Sequence, residues 1–147
     1  MNISWKAVLL LLLQVSMLIV FGCSNGSPPV SSSSEAEPEA IARTEFTDRL
    51  ENFFEYEPLQ SGKPSQVLIH LTDLADGSPV EQAEVSLTVR RRGRGETVAQ
   101  TTAKVGKVTG IYVAELRIPQ TGDYDIEFHI RNARLDERLP LRDFKVE

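Results

Sequence analysis

The chain has 147 residues, 41% of them hydrophobic and 25% charged, with 16 Lys and Arg against 21 Asp and Glu for a net charge of −5. That length holds one small domain and little more, and the acidic balance argues against nucleic acid, which selects basic faces. With one cysteine in the whole sequence no internal disulfide can form, so any folded part must be stable by core packing alone.

Residues 1–6 carry one positive side chain, Lys6, and residues 7–21 form an apolar stretch interrupted only by Gln14 and Ser16. The stretch is short for a bilayer-spanning helix, which needs about 20 residues, and fits the apolar region of a signal peptide. It ends in Leu18-Ile19-Val20-Phe21-Gly22-Cys23. Small Gly22 before the lone cysteine, with Val20 two residues earlier, resembles the bacterial lipobox. The resemblance implies that residues 1–22 are removed and that Cys23 becomes a lipidated N-terminus. Several acyl chains, each burying about 0.8 kcal/mol per methylene, would hold such a protein firmly at a membrane. The alternatives are an uncleaved N-terminal anchor and cleavage elsewhere without lipid. Lipidation or an anchor would place the rest of the chain in the bacterial envelope facing the periplasm. Ser24 after the cysteine favours the outer membrane of a Gram-negative cell.

Residues 23–45 read as a tether: Ser27-Pro28-Pro29, the run Ser31 to Ser34, and Glu35, Glu37, Pro38 and Glu39 leave too little apolar surface to order the chain. A coil of about 20 residues spans roughly 25 Å. It serves as a spacer.

From Phe46 onward the pattern has period two. Val67, Ile69 and Leu71 alternate with Gln66, Leu68, His70 and Thr72; Val85, Leu87 and Val89 alternate with Ser86, Thr88 and Arg90; Tyr124, Ile126, Phe128 and Ile130 alternate with Asp125, Glu127, His129 and Arg131. Each such run predicts a strand with one buried face. Further strands are expected over residues 50–57, 96–104, 110–118 and 141–146, separated by Gly- and Pro-rich turns. About seven short strands at this spacing imply an all-β chain, a single immunoglobulin-like antiparallel sandwich over residues 46–147. Tyr124, opening a strand after Gly122-Asp123, is either a tyrosine corner or an ordinary core residue.

Gly62-Lys63-Pro64, Leu71-Thr72-Asp73-Leu74-Ala75-Asp76-Gly77-Ser78-Pro79-Val80, Ala83-Glu84-Val85, Gly110-Ile111-Tyr112 and Thr121-Gly122-Asp123-Tyr124 follow one another in an order that resembles YtkA-like and FixH-like extracytoplasmic domains. With Phe54 to Leu59 leading in, residues 46–146 also resemble the N-terminal β-sandwich of periplasmic adaptors of heavy-metal-type RND efflux pumps. The resemblance implies a β-sandwich serving as an accessory or binding module, with an RND adaptor or pump as partner. Its motifs are turn and core signatures, which specify a fold better than an activity.

Three groups of residues could carry function. Metal handling would need His70 and His129 to converge, with Asp73, Asp125 or Glu127 nearby; beyond residue 23 the chain has neither methionine nor cysteine, and soft metals want sulfur or several imidazoles. Both histidines fall on the outward set of their strands, which leaves a copper or heavy-metal protein as one alternative and a structural envelope module, presenting Phe53 or Tyr112, as another. Arg90, Arg91, Arg92 and Arg94 crowd a predicted hairpin tip, where they either touch anionic lipid or an acidic partner or keep a solvated turn from aggregating. Residues 131–138, of mixed charge, are expected to form a loop. No nucleophile elbow, metalloprotease helix or phosphate loop is present, so no cofactor and no enzymatic activity is expected.

Overall fold

The computed structural model describes residues 39–147. Residues 1–22, the expected lipidation site Cys23 and most of the expected tether therefore lie outside the described residues. Nine strands follow in order: β1 (Ile41–Phe46), β2 (Leu50–Tyr56), β3 (Pro64–Asp73), β4 (Glu84–Arg91), β5 (Thr97–Thr102), β6 (Lys104–Val105), β7 (Ile111–Arg117), β8 (Gly122–Arg131) and β9 (Asp136–Val146). They form two antiparallel sheets, β1-β2-β3-β7-β6 (sheet A) and β5-β4-β8-β9 (sheet B). Without β1, the two orders are those of an immunoglobulin-like sandwich, A-B-E-D on one layer and C′-C-F-G on the other.

The core is the inward set of the alternation. Phe54, Ile69, Leu71, Tyr112 and Leu116 of sheet A meet Val85, Leu87, Val89, Ile126, Phe128 and Phe144 of sheet B, all buried. Phe54 and Phe128 bridge the layers with ring centroids 4.9 Å apart. Tyr124 is both of the things its position suggested. Its ring is buried and its hydroxyl donates to the Gln120 carbonyl at 2.9 Å, the geometry of a tyrosine corner.

The structure departs from the expected strands in three places. First, the sandwich starts at Ile41 and not at Phe46, because β1 pairs along the whole of β2. Its inward positions hold Arg43 and Glu45 in place of apolar side chains. Arg43 lies over the Phe144 ring at 4.8 Å and donates to Glu45 (2.6 Å) and to the Arg142 carbonyl (3.1 Å), so it closes one side of the sandwich. Second, the strand expected over residues 96–104 divides at Ala103, where the chain leaves sheet B for sheet A; β6 then pairs with β7. Third, the hairpin loop expected over residues 131–138 joins the last two strands but tightens to residues 132–135. Asn132 accepts the backbone N–H groups of Arg134 and Leu135 through its side-chain oxygen, a tight Asx turn. From it β9 runs back along β8 from Asp136.

Candidate functional site: two outer faces and a corner

Sheet B carries a cleft of about 330 Å³ on its outer face. Arg90 of β4 and Asp125 of β8 are register partners there, and the neighbouring strands are both irregular at that level. In β5 the pairing steps from Ala99 opposite Val89 to Thr97 opposite Arg90. In β9 it steps from Leu141 opposite Ile126 to Phe144 opposite Tyr124, leaving Arg142 and Asp143 against the single residue Asp125. Asp143 takes a φ of +72°, which a non-glycine residue adopts at a conformational cost. Two bulges flanking one row splay the outer edges of the sheet and re-aim side chains. Among the cleft's lining residues are Arg90, Arg91, Arg142, Asp125, Glu127 and Pro140.

The charges are distributed unevenly. Arg92, which does not line the cleft, donates to Asp125 (3.1 Å) and reaches Asp143 (3.1 Å). That hydrogen bond to Asp125, with the carboxylates around it, makes Arg92 hold its proton more tightly than an ordinary guanidinium. Glu127 is held by Arg138 at 3.0 Å and more loosely by Arg90 at 3.6 Å. Arg91 donates only to neutral oxygens, Gln120 Oε1 (2.9 Å) and the Thr121 carbonyl (3.4 Å). The Arg142 guanidinium has no carboxylate partner among the described residues. Of the four arginines expected at the hairpin tip, then, Arg90, Arg91 and Arg92 fold back onto sheet B, and Arg94 alone makes no side-chain hydrogen bond or ion pair among the described residues.

The outer face of sheet A is different in kind. The register puts Thr44, Phe53, His70 and Ile111 in one row, and Ala42, Glu55, Leu68, Val113 and Lys104 in the next. Phe53, Leu68, His70, Ile111 and Val113 are half-buried. His70 stands edge-on to the Phe53 ring, centroids 5.3 Å apart, and its Nε2 has no hydrogen-bond partner among the described residues. Phe46, at the end of β1, is 62% exposed.

The structure does not bring the two histidines together. His70 is on the outer face of sheet A and His129 on that of sheet B, with the core between them. His129 instead meets Asp136 at 2.7 Å; this hydrogen bond keeps the Asp136 carboxyl below its usual range. Among the described residues no group of three or more His, Cys, Asp or Glu could hold a metal ion. Tyr112, considered as an exposed aromatic, faces the core.

Three of the motifs quoted above, those of residues 71–80, 83–85 and 110–112, meet at one corner. Gly110 has a φ of +79°, and a Cβ there would sit 2.5 Å from Pro79 Cβ. Its carbonyl accepts the Leu71 N–H at 2.9 Å, and the Leu71 carbonyl accepts that of Val80 at 2.9 Å. Next along the chain from Ile111, Tyr112 donates its hydroxyl to the Val80 carbonyl (2.8 Å) and accepts the Ala83 N–H (3.1 Å). Only a glycine fits so tight an approach at that φ, and only a tyrosine both fills the core and ties residues 80 and 83.

Among curated proteins, no sequence matches this chain. Among solved structures, a superoxide reductase (Neelaredoxin) from Ignicoccus hospitalis is 15% identical, with a TM-score of 0.38 over 79% of this chain and 86% of that one. The neighbour is an enzyme, and the expectation of a module without enzymatic activity is withdrawn, because it rested only on the absence of a few sequence motifs. The motifs sought in the sequence were those of hydrolases and phosphate loops, and they do not test for reductase chemistry. At this TM-score the likeness transfers neither activity nor site. The family model for YtkA-like proteins matches residues 45–129, a span that contains the whole Gly110–Tyr112 corner together with both its partners, and the chain belongs to the YtkA-like family.

Proposed function

We propose that this protein is a lipid-anchored module of the bacterial envelope that works by docking to a membrane-protein partner, an adaptor or pump of an RND-type efflux or metal-transport assembly. Cys23 fixes the location, residues 24–40 set the reach, and the outer face of sheet A makes the contact. One observation carries the reading: Phe53, Leu68, Ile111 and Val113 form a half-buried apolar stripe around His70. Glu51, Glu55 and Glu115 lie in the same outward set. An apolar centre with a charged rim is the usual anatomy of a protein interface, and with Lys104 and Arg117 beside the three glutamates the rim suits a partner whose own rim is of mixed charge. The transport assembly is supported by the resemblance of residues 46–146 to the adaptor sandwich.

Crosslinking in intact cells with a C-terminally tagged chain tests it. An RND adaptor or pump is expected to copurify with the wild type, and Phe53→Lys with Leu68→Glu is expected to abolish that while the sandwich stays folded. Cys23→Ser is expected to release the protein from membranes. Equal recovery of partner with the face variant, or unchanged membrane fractionation of the Cys23 variant, contradicts the corresponding half of the reading.

A further inference from the structure

The cleft on sheet B has the lining of an anion site whose own acids are already neutralised. Asp125 is bound by Arg92 and Glu127 by Arg138, and neither of these arginines lines the cleft. Arg90, Arg91 and Arg142 do line it. Arg91 is met only by neutral oxygens, Arg90 by a carboxylate oxygen at 3.6 Å on Glu127, which has a better-placed partner, and Arg142 by no carboxylate among the described residues. Arg91, in the inward set of β4 opposite buried Tyr124, turns its guanidinium to residues 120 and 121; Arg90 at the end of β4 and Arg142 at the bulge of β9 thus offer the cleft two guanidinium groups, one sharing Glu127 with Arg138 and one without a carboxylate partner among the described residues.

The backbone holds them there. Arg43 of β1 binds the Arg142 carbonyl, pinning the bulge and leaving the Arg142 side chain to the cleft. The Arg91 bonds to residues 120 and 121 fasten the end of β4 to the tyrosine corner. A carboxylate, with two oxygens, suits one arginine fork, whereas a phosphate has enough oxygens to engage several guanidinium groups at once. A cavity of about 330 Å³ is at the small end of ligand sites. It accommodates a phosphate with a small polar body.

We infer that the sheet B cleft binds a phosphate group through Arg90 and Arg142, on a small organic phosphate or on a phospholipid headgroup. This inference is independent of the docking reading, because the cleft lies on the opposite sheet from the apolar stripe and different substitutions test the two.

The experiment is calorimetric titration of the detergent-solubilised full chain with glycerol 3-phosphate. Saturable one-to-one binding is expected, weakened at least about tenfold by Arg142→Gln and by Arg90→Gln and unchanged by Arg117→Gln on the other sheet. Arg142 has no ion pair to lose, so its variant keeps the wild-type melting temperature. A second titration uses the full chain in phosphatidylcholine nanodiscs with and without phosphatidylglycerol. If phosphatidylglycerol competes with glycerol 3-phosphate, the headgroup is the source; if it does not, a free phosphate compound is. Both results uphold the site. Absence of saturable binding overturns it, as does equal affinity in the Arg142 and Arg90 variants, or an equal loss with Arg117→Gln.

Discussion

The two sheets share one core and present opposite outer faces. Sheet A turns Phe53, Leu68, Ile111 and Val113 outward, whereas sheet B turns out Arg90, Asp125, Glu127, His129 and Arg138, joined by ion pairs across three strands. Both faces alternate with the same period, so period two alone cannot tell them apart. What separates them is the chemistry of the outward set and, on sheet B, a pair of bulges that open a cleft. A regular sheet face with apolar side chains is a surface for area contact; a broken one with convergent charges is a place for a small ligand.

The sharpest way to break the comparison is to remove what the faces share. Phe128 packs on Phe54 across the layers, and Phe128→Ala is expected to cost about 3–5 kcal/mol through lost burial and the cavity left behind. Chemical denaturation followed by near-ultraviolet dichroism measures it. Gly110→Ala comes next, at roughly 2–4 kcal/mol, because the new methyl combines a left-handed backbone with a clash on Pro79. Hydrogen exchange should then show β3 and β7 losing protection ahead of β8 and β9, since Gly110 ties only sheet A strands and their connections.

How far the sequence reveals this architecture depends on where burial is one-sided. Strands β3, β4 and β8 are plain in it because an apolar set faces the core at every second residue. β1 is hidden because Arg43 and Glu45 occupy its inward positions, a charged edge of the kind that discourages strand addition. β9 is legible only in part, as the strand expected over residues 141–146: its buried residues are Leu139 and Leu141, then Phe144 and Val146, so the alternation slips by one at Arg142–Asp143. The same slip is the only mark in the sequence of the cleft, and Arg142 can be recognised as one of its arginines only once that strand is paired. Arg90 and Arg91 are visible as a basic run, but their partners at residues 120 and 127 depend on strand neighbours that no local pattern states. The histidines illustrate the converse: their outward orientation is legible, and their separation onto different sheets requires the strand order.

Asn52 sharpens the comparison from the inside. It sits at an inward position of β2, fully buried, and neither its amide nitrogen nor its oxygen has a hydrogen-bond partner among the described residues. A buried amide without partners costs about 1–3 kcal/mol, and leucine is close to it in volume. Asn52→Leu is therefore expected to raise unfolding stability by roughly 1–2 kcal/mol in urea titrations. It should leave both outer faces unchanged, so partner recovery and phosphate affinity should match the wild type.

The smallest effect belongs to the end of sheet B. The hydrogen bond from His129 lowers the Asp136 pKa below 3.8, with Arg138 and Arg131 adding to it, against a smaller desolvation effect in the other direction. A carboxyl whose folded pKa is depressed binds fewer protons folded than unfolded. Its stabilising contribution is complete above the unfolded value of 3.8 and is lost as pH falls through the lowered folded value. Melting curves of the wild type and Asp136→Asn should therefore differ at pH 6 and converge at a pH well below 3.8. Salt should shrink the difference at pH 6, because the pair is exposed and screened.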